Sequence, residues 1–96
     1  MSLEEQFIGV IIELARFHTG AGNYQKAEKW LKRGLLMESL HRELNYCLIE
    51  LLLMTNEKVM AIKHYDIYKK GLIKKLGCEP DEAIAKLLRQ GKRINL

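Results

Sequence analysis

The feature that most constrains this chain is a repeat. A shift of thirty-four residues lays Leu14 on Leu48, Gly22 on Asn56, Ala27 on Ala61 and Leu31 on Tyr65. A period of about 20 to 50 residues marks a supersecondary unit that buries its apolar face against its neighbours. The matched positions have physical jobs. Alanine removes bulk where paired helices cross closely, and the larger residue four positions later fills the space beside it. Gly22 and Asn56 are the residue types that reach positive φ at least cost, so each should turn one helix into the next.

Apolar residues recur at spacings of three and four, and no stretch alternates polar with apolar, so the chain reads as helical nearly throughout. The spacing predicts a first helix from Leu3 to Thr19, with Phe7, Ile11, Leu14, Ala15 and Phe17 or His18 inward. Gly20-Ala21-Gly22 ends it, and Asn23 is expected to cap a second helix burying Tyr24, Ala27, Trp30, Leu31 and Leu35. Ser39 is the expected cap of a third helix with Leu44, Cys47, Leu48, Leu51 and Leu52 inward. A fourth starts after Thr55-Asn56, buries Ala61, Tyr65, Tyr68, Leu72 and Leu76, and ends on Gly77 in a left-handed cap. Pro80 fits the first turn of a fifth helix, with Ile84, Leu87 and Leu88 on its apolar edge and fraying from Gly91 onward. The expected fold is therefore all-α: two antiparallel helix hairpins and a C-terminal capping helix.

Length and composition agree with one domain. Ninety-six residues, 48% hydrophobic and 29% charged, suit a small packed core. No apolar run is long enough to span a bilayer, and the expected location is the cytoplasm. Cys47 and Cys78 are too few for a zinc site, and both are expected to be buried thiols. The net charge of +4 would suit an anionic partner if the cations gathered. Lys69, Lys70, Lys74 and Lys75 instead crowd the end of a helix, where the helix dipole favours them. Direct nucleic-acid binding through these lysines with Arg89, Lys92 and Arg93 is the minor reading.

Catalytic chemistry finds no foothold. His18, His41 and His64 are scattered, and the neighbours His64, Tyr65 and Asp66 point in different directions on a helix. Gly20-Ala21-Gly22 lacks the Lys-Ser or Lys-Thr of a phosphate-binding loop. No catalytic, cofactor-binding or metal-binding residues are expected, and the chain should not be an enzyme.

Gly22-Asn23-Tyr24-Gln25-Lys26-Ala27 closely resembles the turn and second-helix start of a tetratricopeptide repeat. The second unit departs from it, with Lys58 in place of Tyr24 and Ile49 in place of Ala15. Ser39 stands where the family often has proline. Repeat arrays need about three units or a cap, so the fifth helix should close this one.

Tyr65-Asp66-Ile67-Tyr68-Lys69-Lys70, continuing through Leu72 to Leu76-Gly77-Cys78-Glu79-Pro80, resembles the bacterial transcriptional activator domain, with its Leu-Gly-x-Glu-Pro element before a final helix. Cys78 stands where that family has an aliphatic residue and is expected to pack as a small hydrophobe. The resemblance implies that residues 1–96 form one domain cut from a longer regulator, an antibiotic-regulatory-type activator or a two-component response regulator. In such a regulator it modulates an attached DNA-binding domain. The implied partners are proteins: its own DNA-binding or receiver domain, RNA polymerase, or a second copy in a homodimer. DNA would be met only through the rest of the protein, and no membrane is involved. By resemblance to tetratricopeptide arrays, whose first helices line the concave face, Ile12, Arg16, Tyr46 and Glu50 are the expected partner-binding residues. The alternative is a general tetratricopeptide-like adaptor that grips a peptide.

Overall fold

The computed structural model describes residues 2–94, with side chains through Gln90; Met1, Asn95 and Leu96 lie outside it. Among the described residues there are five helices and no strand: α1 (Leu3–Gly20), α2 (Tyr24–Met37), α3 (Arg42–Met54), α4 (Lys58–Leu76) and α5 (Glu82–Ile94). They fall into two compact units, one running to Leu48 and the other starting at Ile49. In the first unit α1 and α2 pack as a helix hairpin, and in the second α5 packs on α4. The all-α, hairpin-based fold expected from the spacing is the fold observed.

Both turns of the repeat are built alike. The N–H groups of Ala21, Gly22 and Asn23 donate to the carbonyls of Phe17, Thr19 and His18. Thirty-four residues later, Thr55, Asn56 and Glu57 donate to Leu51, Leu53 and Leu52. Gly22 has φ +81° and Asn56 φ +62°, and each positive φ lets the chain reverse while its N–H still finds a carbonyl. Gly77 caps α4 at φ +66°, with its N–H on the Ile73 carbonyl at 3.0 Å, as its place after Leu76 predicts.

The first unit buries Ile8, Ile11 and Ala15 of α1, Ala27, Leu31 and Gly34 of α2, and Leu44, Cys47 and Leu48 of α3. Gly34 leaves little room for a side chain. A Cβ there would stand 3.0 Å from Leu44 Cδ1, 3.1 Å from Cδ2 and 3.4 Å from Ile11 Cγ2. The second unit buries Ile49, Leu51, Leu52, Ala61, Tyr68, Leu72 and Ile84. Ala27 and Ala61 are fully enclosed, as the crossing argument requires.

Several inward assignments are corrected. Phe7, Phe17, Tyr24 and Leu76 are exposed, and Leu14, His18, Trp30, Leu35, Tyr65, Leu87 and Leu88 are only half-buried. On α1 the buried line is Ile8–Ile11–Ala15, one residue round from the Phe7–Leu14 line, because packing against neighbours sets a helix's rotation and spacing alone does not. Tyr24 lies on the surface, so Lys58 can replace it in the second unit without loss to a core.

Three cap assignments also change. Asn23 sits at the N-cap of α2, but its side chain makes no capping bond. Ser39 is not the cap of α3. The helix starts at Arg42, and His41 Nδ1 accepts from the Leu44 N–H at 3.3 Å, three residues on. Pro80 precedes α5, whose first N–H donors reach the Asp81 carbonyl. At the chain start, the Ser2 hydroxyl accepts from the Glu5 N–H and donates to the Glu5 carboxylate, both at 3.1 Å, which caps α1. Ser-x-x-Glu was a readable signal there.

Asn45 is the one buried polar side chain among the described residues, 1% exposed. Its Nδ2 donates to the carbonyls of Ser39 at 3.1 Å and His41 at 2.7 Å, which holds the α2–α3 turn against the start of α3. The turn's carbonyls are thereby satisfied by a residue from the next helix.

Candidate functional site

Ile12 and Arg16 stand one turn apart on α1, as Tyr46 and Glu50 do on α3. Ile12 and Tyr46 are half-buried, and Arg16 and Glu50 are exposed. The first three belong to the first unit and Glu50 to the second. Within the first unit the Arg16 guanidinium donates to the Glu43 carboxylate, joining α1 to the first turn of α3. Its pKa is raised above the ordinary arginine value by its electrostatic interaction with Cys47 first, with Glu43 adding to the effect and desolvation opposing it. Arg16 is thus a fixed positive charge. The Arg42 guanidinium lies 5.1 Å from the Tyr46 ring centroid, a cation–π contact that braces the tyrosine.

α1 carries a second surface besides Ile12 and Arg16. Leu3, Phe7, Val10 and Phe17 are 84%, 43%, 50% and 68% exposed, and half-buried Leu14 completes the line. Their spacings of four, three, four and three place them in one stripe along the helix. At 3.6 residues per turn the stripe lies on one flank of the buried face, and Ile12 and Arg16 lie on the other. The signal was legible: α1 carries apolar residues around more of its circumference than burial against one hairpin partner uses.

Some basic residues of α4 and α5 are engaged by carboxylates. Lys69 pairs with Glu79 at 3.4 Å, and Arg89 pairs with Glu82. Lys74 and Lys75 occupy the last turn of α4, where the helix dipole favours cations. The side chains of Lys92 and Arg93 lie outside the described residues.

Cys47 is buried, but Cys78 is exposed, which corrects the expectation for the second thiol. Gly77 turns the chain outward before Pro80, so Gly77, Cys78 and Glu79 all face solvent. Among the described residues no three His, Cys, Asp or Glu side chains gather as a metal site, and no helix is long and apolar enough to cross a membrane.

No curated protein and no solved structure matches the chain. The family model described as the bacterial transcriptional activator domain matches residues 1–90. That span takes in both turns of the repeat, the Leu76–Pro80 element and most of the closing helix. With its helix order and left-handed Gly77 cap in place, the chain belongs to the bacterial transcriptional activator domain family.

Proposed function

We propose that this domain is the regulatory protein-interaction part of a bacterial transcriptional regulator, acting in the cytoplasm through contacts and not through catalysis. Its attached partner is a DNA-binding domain, in an antibiotic-regulatory-type activator or a two-component response regulator. Contact with DNA runs through that partner. The domain shifts the population between two arrangements of the regulator, by as much as its contacts favour one of them.

The exposed stripe of Leu3, Phe7, Val10 and Phe17 carries this reading. Covering a large apolar side chain contributes about 1.5–3 kcal/mol, so a protein partner on this face would gain several such increments. Ile12, Arg16 and Tyr46 of the first unit are proposed as a separate contact face, and Glu50 as a contact residue of the second unit.

The test uses a regulator carrying this domain beside its DNA-binding domain. Phe7→Glu with Phe17→Glu should keep the helical circular dichroism and abolish activation of the target promoter. Unchanged activation would overturn the assignment of the stripe.

A further inference from the structure

We propose that the first unit carries a binding pocket for a small phosphate-bearing molecule with a planar ring, its phosphates held by Lys26, Lys29 and Arg33 and its ring laid against Trp30. The pocket is an open groove of about 350 Å³ lined by His18, Lys26, Lys29, Trp30 and Arg33. That volume is at the small end of ligand sites, which run from about 300 to 1,000 Å³, and exceeds what a bare phosphate needs.

The four α2 residues recur at i, i+3, i+4 and i+7, so they share one face of the helix. Three cations on that face repel one another, and no carboxylate lines the pocket. Glu28, the one acidic residue of α2, is paired with Lys32 at 2.7 Å. Among the described residues Lys26, Lys29 and Arg33 have no ion-pair partner, so their mutual repulsion is left for a multiply charged anion to relieve. The Arg33 guanidinium lies 5.2 Å from the Trp30 ring centroid, a cation–π contact that keeps the charge beside the indole.

His18, from α1, adds an imidazole to the lining. Its Nδ1 is buried and has no hydrogen-bond partner. The site is independent of the regulatory reading, because it needs only residues 18–33 and no attached domain.

Trp30 is the single tryptophan of the chain, so its fluorescence reports directly on the pocket. ADP and pyrophosphate are titrated at low salt into the protein, with excitation where the nucleotide does not absorb. ADP should change the emission saturably, and pyrophosphate should bind more weakly. Lys29→Ala with Arg33→Ala should weaken ADP binding by about tenfold or more, since charge-assisted hydrogen bonds are lost. Lys26→Gln with Lys29→Gln gives a second, milder pair for the same comparison. Lys74→Ala with Lys75→Ala, remote in sequence, should leave binding unchanged. The absence of a saturable response to ADP overturns the proposal, and so does equal weakening by the Lys74 and Lys75 variant. Pyrophosphate binding as tightly as ADP overturns the placement of a ring on Trp30.

Discussion

Gly22 and Asn56, thirty-four residues apart, occupy the same left-handed turn conformation, and the N–H of each donates to the carbonyl three residues before it. A Cβ at Gly22 would meet nothing within 4 Å, so its glycine is required by φ alone and not by space. Gly22→Ala should therefore cost about 1–2 kcal/mol, the penalty for an ordinary residue in this region. Thermal unfolding would fall by about 4–8 °C for each kcal/mol lost. Asn56→Gly should be tolerated and Asn56→Val should not; a Val variant as stable as the parent would contradict the turn argument.

Asn45 tests the α2–α3 connection. Asn45→Leu removes the side-chain donor to Ser39 and His41; the His41 carbonyl keeps the backbone N–H of residue 45 at 3.2 Å, while the Ser39 carbonyl loses its amide donor. Urea unfolding should show a loss of about 1–3 kcal/mol. Asn45→Asp should cost more, because a carboxylate would face two carbonyl oxygens.

At Gly34 two effects oppose each other. Alanine gains up to about 1 kcal/mol of helix propensity, but its Cβ would crowd the fully buried Leu44. Gly34→Ala should therefore change stability little, whereas Gly34→Val should overpack the site and cost about 1–3 kcal/mol. Denaturant midpoints of the two variants, compared side by side, give the check.

The Arg16–Glu43 pair is largely exposed, with 62% of the arginine side chain accessible. Arg16→Ala should thus lower stability by no more than about 1 kcal/mol. Combined with Tyr46→Ala it should retain helix content while weakening partner binding or self-association. Retained binding would dispose of that contact face.

The two cysteines should differ in reactivity. Cys78 is exposed and Cys47 buried, so a thiol reagent should modify one equivalent in the native protein and the second only on unfolding. Rapid reaction of both thiols under native conditions would contradict the burial of Cys47.

The helices, the two positive-φ turns and the Gly77 cap were legible in the sequence because they are local. A helix needs apolar spacing within a few turns, and a left-handed turn needs glycine or asparagine at one position. Family membership was legible for the same reason, since Leu76–Pro80 is a short contiguous element. Tertiary packing decided the rest. Rotation of α1 about its own axis depends on contacts made by residues far along the chain, and it buried Ile8 while leaving Phe7 and Phe17 in solvent. Gly34 matters only because Leu44 and Ile11 converge on it, and Asn45 matters only because the Ser39 and His41 carbonyls come within its reach. The pocket beside Trp30 has the same origin: its cations come from one helix, but His18 joins them only when the α1–α2 hairpin closes.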